Sequence, residues 1–250
     1  MKLTILGCGT SGGVPRLPEY WGKCDPNEPR NRRRRSSILI EEAGTTLLVD
    51  TTPDLRQQML DAGVGKLDAV FYTHDHADHT HGIDDLRGFF QVTREKVPVY
   101  GDAFTLEVLK ARFDYIFRQK GGYPAIAKAH VMNGPVKVGP ITMIPFEQGH
   151  GDGISYGFRF GDMAYSTDLN VMPESAFAAL EGVKVWVVDA LRPEPHPTHT
   201  HLAQTLEWIE RVQPERAVLT HMTWDMDYQT LKASLPAGVE PAYDGMVIEL

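Results

Sequence analysis

Short apolar, β-branched runs recur along the whole chain, each closed by Gly, Pro, Asp or Asn, which is how strands ended by turns read in a sequence. The pattern predicts strands at Leu3–Leu6, Ser37–Glu41, Thr46–Val49, Ala69–Tyr72, Val97–Tyr100, Ile141–Pro145, Ser155–Phe160, Met163–Ser166, Val185–Asp189, Ala217–Thr220 and Met246–Leu250. Helical spacing of apolar positions falls between them, at Asp54–Ala62, His79–Gly88, Phe104–Arg118, Pro173–Leu180, Leu202–Val212 and Tyr228–Leu235. Strands come in pairs early and late with helices interspersed. That order predicts an α/β (α+β) sandwich of two mixed sheets flanked by helices rather than one doubly wound sheet. No internal repeat and no long linker interrupts the pattern, so residues 1–250 read as a single domain. One stretch escapes it: Pro15–Arg35, rich in proline and arginine and without apolar period, predicts a long surface loop. Its cluster Arg30, Arg32, Arg33, Arg34 and Arg35 reads either as a solvated face paired with acids or as a basic edge for phosphate.

Composition narrows the class. A hydrophobic fraction of 42% with 23% charged residues belongs to an ordinary globular chain, not a disordered one. The formal charge of −8 argues against an extensive nucleic-acid surface. Two cysteines, Cys8 and Cys24, provide no disulfide framework, so a reduced cytoplasm is the expected setting. No apolar run nears the ~20 residues that span a bilayer, and the start is interrupted by glycine too soon for a signal peptide, so no membrane partner is expected.

Gly7-Cys8-Gly9-Thr10-Ser11-Gly12 follows a predicted strand and fits the dinucleotide fingerprint G-x-G-x-x-G. The fingerprint works only if a helix N-terminus meets the pyrophosphate. Here Pro15 and Pro18 follow, which no extended helix tolerates, so the reading fails and a glycine loop at a strand end remains.

The densest chemistry is Thr73-His74-Asp75-His76-Ala77-Asp78-His79-Thr80-His81, directly after the apolar run Ala69–Tyr72. His74 and His76 alternate, so on extended backbone they project to one side, and Asp78 and His79 follow where the chain turns into a helix. Neutral nitrogen donors beside an anionic oxygen are what a divalent metal requires. A solvated, pH-sensitive patch is the bland reading, and such density after a buried strand disfavours it. Three later strand ends add His150, Asp168 and His221. Singly each could be a turn or cap residue; their repetition at strand ends is what points to a shared site.

His74-x-His76-x-Asp78-His79, followed in order by His150, Asp168 and His221, resembles the metallo-β-lactamase superfamily, and within it the PhnP-like (cyclic) phosphodiesterase branch. The tRNA 3′-processing endonucleases are a more distant likeness. The resemblance runs along essentially the whole chain and includes Leu48–Asp54, Ser166-Thr167-Asp168, Pro195–His199, Leu219–Met222 and Ala242–Met246. It implies the αββα metallo-β-lactamase fold with the site at one edge between the sheets. It implies two divalent ions, the first on His74, His76 and His150, the second on Asp78, His79 and His221, with Asp168 between them. Zn²⁺ is the first expectation, with Mn²⁺ or Fe²⁺ as alternatives. Asp50 would orient a ligand imidazole.

The implied reaction is hydrolysis of a phosphodiester or cyclic nucleotide or ribosyl phosphate by a metal-bridging hydroxide. His199 matches the branch's general acid, with His196 and His201 as neighbours that spacing alone leaves open, and the bland reading of Pro193–His201 is a polar loop with Thr198 or Thr200 capping the next helix. Arg16 and Arg87 are candidate phosphate contacts. Some PhnP-like members carry a structural zinc on several cysteines and a later histidine. Here Cys24 stands alone and Trp224 occupies the histidine's place, so no structural zinc is expected. Asp168 argues against a lactamase and His76 against the redox di-iron members. The alternatives carried forward are a tRNA 3′-processing endonuclease and a non-catalytic nucleotide- or metal-binding protein. A small phosphodiester or nucleotide-like substrate is the expected partner, with a homodimer open.

Overall fold

A computed structural model describes residues 1–250. Its first sheet holds β1 (Lys2–Gly7), β2 (Ser37–Glu42), β3 (Thr45–Val49), β4 (Ala69–Phe71), β5 (Val97–Gly101) and β6 (Ala127–Val131). The second holds β7 (Val136–Val138), β8 (Ile141–His150), β9 (Gly153–Phe160), β10 (Met163–Ser166), β11 (Val185–Asp189), β12 (Arg216–Thr220) and β13 (Val239–Pro241). The last strand, β14 (Val247–Glu249), returns to pair with β1, giving the orders β14-β1-β2-β3-β4-β5-β6 and β13-β12-β11-β10-β9-β8-β7. Helices α1 (Leu55–Asp61), α2 (Ala77–Thr80), α3 (Leu86–Thr93), α4 (Ala103–Arg112) and α5 (Asp114–Phe117) belong to the first half, and α6 (Glu174–Leu180), α7 (Leu202–Val212) and α8 (Tyr228–Ser234) to the second. This is the metallo-β-lactamase sandwich, two mixed sheets flanked by helices.

Strand alternation explains the layers. Leu3 and Ile5, Ile38 and Ile40, Leu47 and Val49, Ala69 and Phe71 all join the central cluster with Phe158, Val187 and Leu219 of the second sheet. The intervening Leu39, Leu48 and Val70 face the other way, onto Leu55 and Met59 of α1, Leu86 of α3 and Leu106 and Leu109 of α4. Fully burying such a side chain contributes about 1.5–3 kcal/mol, and cutting one to alanine costs about 2–5 kcal/mol.

Each sheet contains a parallel run, β3 to β6 and β10 to β13. Helical crossovers return the chain to the same starting edge each time, so the carboxyl ends of β3, β4, β10, β11 and β12 gather at one rim. Open α/β sheets bind ligands at such ends.

Two predicted helices change form. The helix expected at His79–Gly88 is divided into α2, a 3₁₀ turn at Ile83–Asp85 and α3. Gly82 marks the division: a Cβ there would lie 1.9 Å from the Thr52 carbonyl oxygen, so the chain passes too close for any side chain. The helix expected at Phe104–Arg118 breaks at Phe113, whose ψ of 45° is not helical. Strands β6, β7 and β13 went unpredicted, being short and polar on their outward positions.

Pro15–Arg35 is the surface loop expected, mostly exposed but anchored near its end. Arg33 is 2% exposed and donates to the Thr223 and Met226 carbonyls at 3.1 and 2.6 Å. Buried Asn31 donates to Asp227 at 2.7 Å and accepts from the Tyr228 backbone N–H at 2.8 Å. Arg35 pairs with Asp54 at 3.1 Å. Gly7 lets this segment in, since a Cβ there would stand 2.1 Å from the Arg35 carbonyl oxygen.

Candidate metal centre

Three residues at the rim hold backbone that side chains rarely adopt. Asp50 (φ 65°), Asp168 (φ 55°) and His221 (φ 56°) each follow a strand end, of β3, β10 and β12. A left-handed non-glycine residue costs roughly 1–3 kcal/mol and persists where its surroundings fix it. All three are at most 2% exposed, and each turns its side chain toward the same point.

Hydrogen bonds assign the imidazole tautomers. His79 Nδ1 donates to Asp50 Oδ2 at 2.7 Å. The Thr73 hydroxyl donates to the same oxygen at 2.8 Å, so it accepts from His74 Nδ1 at 2.9 Å. The Thr167 hydroxyl donates to Asp168 Oδ2 at 2.6 Å and accepts from His221 Nδ1 at 3.0 Å. His150 Nδ1 donates to the Thr198 carbonyl at 2.7 Å. His74, His79 and His150 thus keep their proton on Nδ1 and turn an Nε2 lone pair inward, whereas His221 meets the centre through Nδ1, 2.8 Å from Asp168 Oδ2. The Nε2 atoms of His74, His79 and His221 are buried and find no hydrogen-bond partner in the protein.

The donors stand at the spacing of ligands to common ions. His79 Nε2 lies 3.1 Å from Asp168 Oδ2 and 3.3 Å from Asp78 Oδ2, and His150 Nε2 lies 3.4 Å from His76 Nδ1. Two donors each about 2.1 Å from one ion stand roughly 3.0–3.4 Å apart. Donor atoms of His74, His76, His150 and Asp168 lie within 4.8 Å of one another, as do those of His79, Asp168 and His221. Asp168 belongs to both groups.

Electrostatics agree. Burial would lower the His79 pKa, yet the carboxylates of Asp168, Asp78 and Asp50 hold it well above its usual range. Burial would raise Asp168, yet His221 and His79 hold it well below the carboxylate range. His74 is pushed far down, first by burial and then by His79. Without a metal it is protons on imidazoles such as His79 that balance the buried carboxylates; a divalent cation can take their place, and the donor set fits one.

Beside this cluster, His199 is fixed by a residue that the sequence reading passed over. His199 Nδ1 donates to Asp189 Oδ2 at 3.1 Å, and its Nε2 faces Asp168 Oδ1 at 3.8 Å. The same Asp189 oxygen accepts from the Asp168 backbone N–H at 3.0 Å. Burial opposes charge on His199, but the Asp189 hydrogen bond and the charges of Asp168 and Asp189 raise its pKa to about 9. Asp189 was visible as the acidic end of a fully apolar strand, Val185–Asp189, in parallel register with β12. Thr73 and Thr167 gave no signal beyond adjoining His74 and Asp168.

Of the neighbouring histidines, His196 stays beside Thr198 and His201 begins α7 without a side-chain cap. Thr200 does not cap α7 either; its hydroxyl meets that of Thr205 at 3.1 Å. Asp75 pairs with Arg112 at 3.2 Å, and His81 is exposed against the Phe113 ring. Arg87 is not brought to the cluster: Asp84 holds its guanidinium at 2.7 Å, beside Tyr115 and Tyr123. Arg16 is. It shares a cleft of about 460 Å³ with Ala77 and Asp78 of the metal motif. A second cleft, of about 540 Å³, opens on His74, His76, His150 and His199 and is lined by Asp102, Phe104, Asp152 and Ile154.

The beta-lactamase superfamily domain matches residues 45–222. A crystal structure of a new diphosphatase from the PhnP family superposes with a TM-score of 0.91 at 36% identity, over 100% of this chain and 97% of that one. An octanoyltransferase of Porphyromonas gingivalis (strain ATCC BAA-308 / W83) is 32% identical over 252 residues, 98% of this chain and 51% of that protein. A ribonuclease Z of Bradyrhizobium sp. (strain ORS 278) is 27% identical over 137 residues, 53% of this chain and 46% of that protein. The chain belongs to the beta-lactamase superfamily and, within it, to the PhnP family. It spans about half the length of these two curated relatives. No helix is long and apolar enough to cross a membrane.

Proposed function

We propose that the protein is a dinuclear metal-dependent hydrolase that cleaves a phosphodiester or diphosphate linkage in a small nucleotide-like substrate. The observation that carries this reading is the pair of buried, unpartnered Nε2 atoms of His74 and His79 beside Asp168, with His221 Nδ1 against the same carboxylate and His76 and His150 adjoining. His74, His76 and His150 would hold one divalent ion, Asp78, His79 and His221 a second, and Asp168 both. When bound, the ions would supply Lewis-acid activation of water and neutralisation of phosphoryl charge. Zn²⁺ suits the nitrogen-rich donor set, with Mn²⁺ or Fe²⁺ as alternatives.

The chain's own residues supply the rest. Asp50 and Thr73 fix the His79 and His74 rings so that their lone pairs stay aimed inward. Asp189 fixes His199 and keeps it protonated at neutral pH, so its Nε2–H can pass a proton to the departing oxygen. The 36% identity to a PhnP-family diphosphatase supports a phosphate substrate, and the charge of −8 favours a small one over tRNA.

The test is turnover by protein loaded with Zn²⁺ or Mn²⁺, assayed on bis(p-nitrophenyl) phosphate, a cyclic ribosyl phosphate, a diphosphate-linked dinucleotide and a tRNA precursor. Metal-dependent cleavage of a small ester, lost in His199→Ala, is expected. No turnover of any small phosphate ester with either metal would overturn the hydrolase reading. Preferential cleavage of the tRNA precursor would overturn the substrate class.

A further inference from the structure

The cleft on the Asp78 side of the cluster has a chemistry that the metal ligands do not use. Arg16 lies on it with its guanidinium carbon 4.5 Å from the Tyr20 ring centre and 4.7 Å from that of Trp224. Stacking of this kind fixes a long side chain in one place. No carboxylate pairs with Arg16; its one hydrogen bond goes to the adjoining Leu17 carbonyl at 3.2 Å. A short backbone loop holds its Cα, with Arg16 and Tyr20 exchanging N–H···O bonds of 3.1 and 2.7 Å. Trp224 stands just beyond His221, so the strand end that places a metal donor also places the arginine's platform.

Directly beside Arg16 lies the glycine loop, where a Cβ on Gly12 would stand 3.2 Å from the Arg16 Cβ. Ser11 and Gly12 are both exposed, and neither backbone N–H has an acceptor within the protein, nor does the Ser11 hydroxyl. Adjacent free N–H groups facing a fixed guanidinium make an anion cradle. Arg35 adds a guanidinium partly neutralised by Asp54. Asp78, the one carboxylate lining this cleft, belongs to the metal donor set, 3.3 Å from His79 Nε2. The opposite cleft is of another kind, with Asp102 and Asp152 beside Phe104 and Ile154.

We infer that Ser11, Gly12 and Arg16 form a binding subsite for a second phosphoryl group, next to the one that is cleaved, and that Arg16 sets a preference for diphosphate-linked substrates. The inference rests on the hydrolase reading above for the position of the scissile phosphate. The second phosphate's charge meets the stacked guanidinium and the free N–H groups, and the organic group lies in the Phe104–Ile154 cleft beside His199; the ester bond on that side breaks, its oxygen takes the His199 proton, and the second phosphoryl group stays on the product that gains the hydroxyl. Arginine presents a planar fork to phosphate oxygens that lysine does not reproduce.

The experiment is calorimetric titration of the metal-loaded protein with ADP and with AMP, which differ by one phosphoryl group, so the readout is independent of turnover. Wild type is expected to bind ADP at least tenfold more tightly than AMP. Arg16→Gln should reduce that preference at least fivefold, Arg16→Lys should recover only part of it, and Trp224→Leu should weaken it by freeing the arginine. Arg118→Gln, an exposed change of equal charge just after α5, should keep the wild-type ratio and so separates local binding from net charge. An ADP to AMP ratio that Arg16→Gln leaves as in wild type, or that Arg118→Gln lowers equally, would overturn the subsite. Loss of the ratio in Arg16→Gln, with melting temperature unchanged, supports it even if the hydrolysis assays fail.

Discussion

The two flanks of the histidine cluster differ in what they offer a ligand. On the His76–His150 side, the cleft combines the apolar Phe104 and Ile154 with the acids Asp102 and Asp152. On the Asp78 side, the cleft presents Arg16 and Arg35 with the free backbone of the glycine loop. A phosphate ester is itself two-sided, anionic at the phosphoryl group and uncharged or apolar on the leaving group. The contrast between the clefts therefore gives the substrate a direction, with charge toward Arg16 and the leaving group toward His199.

The centre that both flanks share should be the most sensitive to change. Asp168→Ala removes the one carboxylate common to both donor groups and leaves His79 and His221 facing each other. Hydrolysis should fall below detection, with metal content per chain reduced, by elemental analysis. His199→Ala acts on the leaving-group side alone. It should lower kcat by about 10²–10⁴ while retaining bound metal. A leaving group of low pKa such as p-nitrophenolate needs little proton assistance, so the loss should shrink on bis(p-nitrophenyl) phosphate. An equal loss on good and poor leaving groups would break the assignment of that flank.

Asp189→Asn should be milder and should read out in pH. The hydrogen bond to Asp189 helps raise the His199 pKa to about 9, so the wild-type rate should decline as pH rises through that region. Removing the carboxylate lowers the pKa, so the alkaline limb should shift toward neutrality, as measured by a pH–rate profile. A limb that stays in place would show that another group titrates there.

Asp244 lies behind the glycine loop and should show the smallest effect, on stability rather than rate. Its carboxylate accepts from the Arg34 and Cys8 backbone N–H groups at 2.8 and 3.2 Å. Burial pushes its pKa up to about 7, with those bonds and Arg34 pulling it back. A carboxyl raised in the folded state stabilises the fold fully only below its unfolded pKa, and that contribution is lost as pH rises through about 7. Wild type should therefore lose roughly 1 kcal/mol of stability between pH 6 and pH 8 through this group. Asp244→Asn should flatten the difference in urea titrations at the two pH values.

Much of this was legible in the sequence, for identifiable reasons. Buried central strands announce themselves because both faces must be apolar, as in Val185–Asp189, and dense ligand residues stand out because nothing in a core requires them. The strand-end candidates His150, Asp168 and His221 stood out by their repetition at strand ends and by the family resemblance, not singly. What escaped depends on distant contacts. Arg33 reads as one more charge in a basic run, and only the carbonyls of Thr223 and Met226 turn it into a buried anchor. The break at Gly82 follows from the approach of the Thr52 carbonyl, which local spacing does not encode. Arg87 and Arg16 looked equivalent as phosphate contacts until Asp84 was seen to hold the first and the Tyr20–Trp224 pair the second.

The central claim is that seven side chains, Asp168 among them, hold two divalent ions. Its most direct test is the metal content of protein stripped by chelator, reloaded with Zn²⁺ or Mn²⁺ and freed of excess, measured by elemental analysis alongside phosphodiester turnover. The account predicts two ions per chain, with turnover appearing only on loading. Full turnover by protein holding no metal, or a limit of one ion per chain in the fully active protein, would contradict it.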